Sequence, residues 1–317
     1  MSTNAVSHIG LLLIDGFALM SYAALIEPFR AANVLAGTKL YDWKHIALTD
    51  GQVIASNGAR LVADHSIADA GDHETLFVFA GGDPARFRDE ACFGFLRAQA
   101  RRGVAIGGIS GGPFLLARAG LLAGRRAAIH WEHAAALRTE FPDLRLEQGL
   151  YVIDGSRMTC AGGTAGLDLA LALIERDHGG LLAQQVGEWF IRPGLRGAHD
   201  AQRTDVAVRH DTANRRLLPM LSAMEAAIEE PLSRSDLAER AGISLRQLER
   251  LCQAELGAGI GEVYITLRLD RALELLRSTG LSVTEVAMAC GFRSAAHFSR
   301  RFTQRHRRTP VSARSGR

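Results

Sequence analysis

Residues 283–310, VTEVAMACGFRSAAHFSRRFTQRHRRTP, constrain this chain more than any other stretch. Val286, Ala287 and Cys290 fall on one helical face. Gly291 ends that helix, since glycine takes a left-handed C-terminal position without the steric cost of a Cβ. Phe292 follows as an apolar plug, and Ser294 is placed to cap a second helix by accepting an orphan backbone N–H. The second helix carries Phe298 and Phe302, four apart, on its inner side and His297, Arg300, Arg301 and Arg305 on its outer side. A short helix, a glycine turn and a second helix with a basic outer face predict a helix-turn-helix, whose second helix suits a DNA major groove.

The same unit occurs about fifty residues earlier. SDLAERAGIS repeats the order of helix, glycine, apolar plug and serine cap, with Gly242, Ile243 and Ser244 in those roles. Leu245, Leu248 and Leu251 are expected on the buried side of the following helix, with Arg246, Gln247, Glu249 and Arg250 outside. Between the two units, residues 263–278 place Leu267, Ala272, Leu275 and Leu276 at helical spacing, which predicts a connecting helix. Charge follows the same division. Residues 231–317 hold 15 Arg, no Lys and 8 acidic residues, a net +7, whereas residues 1–230 carry a net −4. A basic end on a mildly acidic partner fits phosphate-backbone binding at one end only.

Two helix-turn-helix units on one connecting helix resemble the DNA-binding domain of the AraC/XylS family of transcription regulators. The resemblance covers about residues 219–314 and rests on the paired pattern DLAERAGIS…RLDRALELL…VTEVAMACGFRSAAHFSRRF…TP. It implies double-stranded DNA as a partner. Arg246, Gln247 and Arg250 would read one segment, and Ala296, His297 and Arg300 the other. Arg301, Arg305 and Arg308 would meet phosphates. The chain departs from the family pattern at Ile260, where a small residue or Pro is usual. It departs again at His306 and Arg307, where an aromatic then Gly is usual, and at Ala313, where an aromatic is usual.

A length of 317 residues predicts two domains, with 47% hydrophobic and 22% charged residues as in a soluble globular protein. No run reaches the roughly 18 apolar residues a membrane span requires, and no signal peptide is evident, so a cytoplasmic location is expected. Cys92, Cys160, Cys252 and Cys290 show no metal-ligand spacing and are expected to be reduced, buried thiols, with no metal and no cofactor.

The first two-thirds of the chain alternates strands and helices. Apolar strands are expected at 8–15, 45–49, 74–79 and 104–109, with helices at 21–35, 93–102, 112–119 and 165–176, a small hairpin at 52–60 and short strands at 127–130, 150–153 and 158–160. This order predicts a doubly wound, mainly parallel, flavodoxin-like α/β sheet followed by an all-α domain. Ligands bind such sheets beyond the carboxyl ends of the strands. The glycine-rich ends near Asp15, at Gly82, at Gly111 and before Thr164 are therefore expected to converge on one pocket. The polar stretch 194–214, with Asp200, Gln202, Arg203 and Asp205, reads as a linker. The expected domains are 1–193, that linker, and 215–317.

Gly108-Ile109-Ser110-Gly111-Gly112 follows a strand and opens a helix, matching the G-x-S-x-G elbow. An α/β-hydrolase needs its acid before its histidine, and His130 and Asp168 stand in the reverse order. SGGPFLLARAGLLAGRRAAIHWEH, the Gly-Gly after Phe79 and TCAGGTAGLDLALALI resemble instead the PfpI/ThiJ-like branch of the class I glutamine-amidotransferase-like superfamily, over about residues 8–190. That family's enzymes carry Cys at the elbow and a supporting acid near the first strand–helix loop. Here Ser110 and Ser21 stand at those positions, and a serine without a positioned base is a poor nucleophile. The two domains together resemble the GlxA-type subgroup of AraC regulators, which implies a non-catalytic sensor of a small nitrogen-containing metabolite, activation of transcription, a homodimer and RNA polymerase as a further partner. The residues themselves suit an amine or amino acid. Ser110 and the N–H groups of Gly111 and the following helix start can hold a carboxylate. Asp15, Glu27, Glu132, Phe17, Tyr22 and Trp131 can hold a cation. The competing readings are a PfpI-like hydrolase or hydratase using Ser110 with an accessory DNA module, and a DNA-binding protein whose α/β domain only dimerises. The apolar helix 181–191, with Trp189 and Phe190, is a candidate dimer surface or else packs against its own domain's sheet.

Overall fold

Residues 8–14 are apolar without alternation, the pattern of a strand covered on both faces. In the computed structural model, which describes residues 6–192, 194, 196–202, 206–278 and 280–314, they form β1 (Ser7–Leu13) inside a seven-stranded sheet. The chain divides into two compact units, Met1–Gln202 and Arg203–Arg317.

Across the sheet of the first unit lie β5 (His65–Ser66), β2 (Tyr41–Ala47), β1, β6 (Thr75–Ala80), β7 (Ala105–Ser110), β11 (Arg157–Cys160) and β10 (Tyr151–Asp154). Every neighbouring pair is parallel except β10 with β11. Leu13, Phe79, Ile109 and Cys160 pair in one row across four strands, so the carboxyl ends finish level. That register is what carries the turns after β1, β6, β7 and β11 to one edge.

Successive residues serve opposite faces. Leu11, Leu13, Phe77, Phe79 and Ile109 pack against α1 (Leu19–Ala36), α5 (Ala165–His178) and α6 (Gly180–Trp189). Leu12, Leu76, Val78 and Ile106 pack against α2 (Glu90–Arg101), α3 (Gly112–Arg118) and α4 (Ala134–Glu140). Each fully buried Leu or Phe contributes about 1.5–3 kcal/mol, which is why both faces of one strand can be apolar. The doubly wound architecture is as the sequence predicts. The second strand begins at Tyr41, earlier than expected. Asn33 of α1 sets this start: its Oδ1 accepts from the Leu40 and Tyr41 N–H groups and its Nδ2 donates to Tyr41 O. The hairpin forms from β3 (Gln52–Ile54) and β4 (Arg60–Val62). The short strand expected at 127–130 forms as β8 (Arg126–Ala128) and pairs in parallel with β9 (Arg145–Glu147), which the sequence reading does not mark. In α6, Ala183 and Val186 face the unit's own core, whereas Leu181 and Trp189 are exposed.

The polar stretch 194–214 is not uniformly free chain. Leu150 donates its N–H to Ala198 O at 2.8 Å, and the Gln202 amide bonds three backbone groups of the α/β unit. Further on, α7 (Val206–Arg209) is tied to α8 (Leu217–Ala226) through Arg209 and His210 on Glu225. Arg203 and Asp205 lie outside the described residues. Order here comes from side-chain bonds to distant loops, which leave no periodic trace in the sequence.

The second unit continues with α9 (Arg234–Ala241), α10 (Leu245–Glu255), α11 (Ile260–Ser278), α12 (Val283–Ala289), α13 (Ala295–His306) and α14 (Pro310–Arg314). Ser233, Ser244 and Ser282 each close a reciprocal capping box with Asp236, Gln247 and Glu285. Ser294 accepts from His297 N–H and caps α13. Gly242 and Gly291 sit at φ +65° and +71°. The connecting helix α11 gives Ile260 and Tyr264 to the core of the first helix-turn-helix and Leu269, Ala272 and Leu276 to that of the second. The departures noted above are absorbed here. Ile260 is fully buried, and the His306 ring lies 4.6 Å from that of Phe302 with Nε2 3.2 Å from Leu269 O. Arg307 adopts a left-handed φ of +55° without being glycine.

Candidate effector pocket and DNA-facing surfaces

Strand β7 turns directly into α3 at Ser110, whose φ of +62° is a left-handed conformation that costs a non-glycine residue about 1–3 kcal/mol. The surroundings impose it. A Cβ on Gly108 would lie 2.6 Å from Pro113 N, and one on Gly112 would lie 2.2 Å from Val78 O, so the helix starts hard against the sheet. Ser110 itself is almost buried. A Cβ on Gly162 would stand 2.7 Å from both Ser110 Cβ and Ser21 Oγ, so the elbow, the start of α1 and the loop after β11 meet at one point. At that point Ser21 Oγ accepts the Gly163 N–H at 2.7 Å. His130 reaches the elbow through its backbone N–H, 3.5 Å from Ser110 O.

A cavity of about 310 Å³ is lined by Asp15, Gly82, Asp83, Pro84, Arg86 and Leu115 among others; Ser110, expected to hold a ligand, is not part of its lining. Of the residues expected to hold a ligand, Asp15 and Gly82 line it. Gly111 does not line it: a Cβ there would be 3.0 Å from Pro84 and 3.1 Å from Ala80 O, and its N–H, expected to meet a ligand carboxylate, donates to Ala80 O at 2.9 Å. One Asp15 oxygen accepts the Ile54 N–H at 2.8 Å. Asp83 and Arg86 were not singled out from sequence, where they read as a turn after a strand.

Four expected ligand contacts are corrected. Phe17 is completely buried, with Tyr22 edge-on at 6.0 Å, so its ring faces core rather than cavity. Tyr22 packs on Phe79, and its hydroxyl meets His45 Nε2 at 2.8 Å; burial pushes its pKa up to about 12. Glu27 pairs with Arg30 at 2.6 Å on the helix surface. Thr164 Oγ1 accepts from Arg196 Nη2 at 2.9 Å. Trp131 and Glu132 likewise do not line the cavity; they lie on the turn that follows β8, where Trp131 N–H donates to Gln202 Oε1 at 2.8 Å.

The ligating atoms of His130, Glu132 and His133 lie within 4.8 Å of one another. Ligands of a tetrahedral zinc sit about 3.4 Å apart. Here His130 Nδ1 stands 3.9 Å from Glu132 Oε2 and already accepts the Glu132 N–H at 3.4 Å. All four cysteines are buried, and burial pushes Cys92, Cys160 and Cys290 up to about 12 and Cys252 to about 11. They are neutral thiols at neutral pH.

On the helical unit, Arg246, Gln247 and Arg250 are exposed along α10, beside an open groove of about 910 Å³ that Arg234, Leu245 and Gln253 also line. Leu245 is 43% exposed rather than buried, because it is the first residue of the helix and projects ahead of the core. Gln247 spends its Oε1 on the Ser244 cap at 3.0 Å, which leaves its amide donors outward. Arg234 was not singled out from sequence. On α13, Ala296, His297 and Arg300 are exposed. Arg301 and Arg305 are not free cations: Arg301 grips Glu262 at 2.5 and 2.7 Å, and Arg305 grips Asp270 at 3.0 and 2.8 Å, both on α11.

A mostly parallel α/β unit with a serine elbow, joined to two capped helix-turn-helix units on one connecting helix, defines a DNA-binding regulator with a DJ-1/PfpI-like domain. The family model described as DJ-1/PfpI family matches residues 8–176, and the one described as helix-turn-helix domain matches residues 237–316. The HTH-type transcriptional regulator CdhR of Pseudomonas aeruginosa is 42% identical over 304 residues, 96% of this chain and 90% of that protein. The HTH-type transcriptional regulator GlxA of Rhizobium meliloti is 42% identical over 310 residues, 98% and 96% of the two chains. A crystal structure of an AraC family transcriptional regulator from Pseudomonas putida superposes with a TM-score of 0.53 at 26% identity, over 58% of this chain and 99% of that one. The chain belongs to the AraC-type transcriptional regulators of the GlxA subgroup, with a DJ-1/PfpI domain ahead of the helix-turn-helix domain. Among the described residues no helix is long and apolar enough to cross a membrane.

Proposed function

We propose that the protein is a transcription activator that works as a homodimer and senses a small amine or amino acid in the α/β unit, which ends at Gln202. The observation that carries the sensor reading is the fate of the elbow. Ser110 keeps the strained nucleophile geometry, while Ser21, at the position of the supporting acid, is spent on a backbone N–H. What is left is a preformed polar pocket in place of an acid–nucleophile pair. Asp15 supplies a carboxylate for an ammonium group at the wall of the cavity. On DNA, α10 and α13 enter successive major grooves, with Arg246, Arg250 and Arg300 on base edges and RNA polymerase recruited from the bound protein.

The test is a thermal-shift screen of the full chain against amino acids, betaines and other methylated amines. A compound at about 100 times its dissociation constant stabilises its target by roughly 2.7 kcal/mol. A hit that disappears in Asp15→Asn and in Ser110→Ala supports the sensor. No hit across the panel removes the amine class.

A further inference from the structure

The two helix-turn-helix units meet at a second place besides the connecting helix α11. The link from α8 to α9, residues 227–232, leads into the first helix-turn-helix, yet its Ile228 packs on the core of the second. Gly291, at the turn between α12 and α13, lies directly on this link. A Cβ there would stand 2.7 Å from Ile228 O, 2.8 Å from Glu229 O and 2.9 Å from Pro231 Cδ. Gly242, at the matching turn of the first helix-turn-helix, is left-handed too, but a Cβ there would meet nothing within 4 Å. Backbone conformation alone asks for glycine at 242, whereas close approach asks for it as well at 291.

Helix α11 holds both sides of this contact. Tyr264 and Arg268 are four residues apart and so are neighbours on its surface. The Tyr264 hydroxyl donates to Ala227 O at 2.6 Å and accepts the Leu232 N–H at 3.2 Å, which grips the link at both ends. Arg268 Nε donates to Cys290 O at 2.7 Å, and its guanidinium lies 4.2 Å from the centre of the Phe292 ring. Phe292 in turn stands 5.2 Å from Phe298 and 5.9 Å from His297, both on α13.

We infer that the link 227–232, the turn 290–292 and the side chains of Tyr264 and Arg268 form a brace that fixes α13 relative to α10. Tyr264, Arg268 and Gly291 are then positioning residues that set the spacing of the two DNA segments one chain reads. Two small cores joined by one helix alone can twist and bend about it. A second point of contact closes a triangle and stiffens the joint. Moving α13 against α10 would strip partners from the Tyr264 hydroxyl, the Arg268 guanidinium and the carbonyls they hold, a cost that neither core carries by itself. Base-edge contacts depend on geometry, so a stiff joint accepts one spacing and a loose joint accepts several.

This rests on the reading that α10 and α13 enter successive major grooves. The test compares the full chain with Tyr264→Phe, Arg268→Met, Gly291→Ala and Gly242→Ala. Each binds an operator selected from random DNA with the unaltered protein, and the same operator with one base pair inserted or removed between the two segments. One base pair turns the second segment by about 34° and shifts it by about 3.4 Å. The unaltered protein should lose about tenfold or more in affinity on either change, the worth of one misplaced bidentate contact. In Tyr264→Phe, Arg268→Met and Gly291→Ala that penalty should fall to about threefold or less, with base preference inside each segment kept. Gly242→Ala meets similar φ strain without the contact and should keep the full penalty. Tyr264→Phe and Arg268→Met retain the apolar body of the side chain, so they decide the matter even where Gly291→Ala does not fold. An unchanged spacing penalty in those two overturns the inference, because the brace then only packs. Loss of the penalty in Gly242→Ala as well overturns it, because general loosening then explains the effect. An unaltered protein indifferent to spacing removes the two-groove reading itself, and the brace's role with it.

Discussion

The first helix-turn-helix keeps Arg246 and Arg250 exposed beside an open groove, whereas the second commits Arg301 and Arg305 to carboxylates of the connecting helix. The cores differ in the same sense. The first is aliphatic and sulfur-rich, with Met220, Leu237, Leu248 and Cys252. The second stacks Phe292, Phe298 and Phe302, with ring centroids 5.2 and 5.4 Å apart. One scaffold thus appears twice with different spending of its charge. In the first unit the arginines of the second helix stay available to a partner. In the second unit two of them clamp α13 to α11, and Arg300 and His297 are left to face outward. A count of basic residues on each helix does not reveal this, because a cation already paired offers less to a phosphate.

The sharpest way to break the comparison is through the cores. Phe298→Ala should cost the helical unit about 3–5 kcal/mol, with stacking adding to the cavity term, and Leu248→Ala should cost less within a range of about 2–5 kcal/mol. Urea unfolding followed by exchange of the α10 and α13 amides measures both. An equal loss at the two positions would mean that the aromatic stack adds nothing. Next in size is DNA reading. Arg250→Ala should remove about 1–3 kcal/mol of discrimination at one base position. Arg305→Ala, which releases the Asp270 clamp on α13, should weaken all sequences alike and change no preference. Binding to single-base operator variants separates the two; uniform weakening by both would erase the distinction. The smallest effect concerns the turn after α13. Arg307→Gly should raise stability by about 1 kcal/mol by relieving the left-handed φ, while Gly242→Ala after α9 should lower it by a similar amount. A thermal midpoint that falls in Arg307→Gly would show that the arginine side chain offsets its own strain.

The two units were unequally legible in the sequence. Capping serines, left-handed glycines and helical periodicity specified the second unit residue by residue, since each signal acts within one or two turns of itself. Ser244 and Ser294 cap the helices that their positions predict. In the α/β unit the apolar strands and the elbow at Ser110 were equally plain. The pocket was not. Phe17 and Tyr22 looked suited to a cation and are core-facing, because the pleat and the start of α1 turn them inward. Gln202 and Arg196 looked like linker, because nothing near them in sequence is their partner.

The chain by itself determined the class of protein: two helix-turn-helix units on one connecting helix, a parallel α/β sheet, and a serine elbow where related enzymes carry cysteine. These follow from local sterics and from hydrophobic period, and both are written in consecutive residues. The tertiary structure decided which charges are paired, which aromatic rings are buried, and that Asp168, Thr164 and Trp131 are held by a segment 28 to 71 residues away along the chain. Such contacts depend on where folded elements are carried in space, and no window of sequence contains both partners.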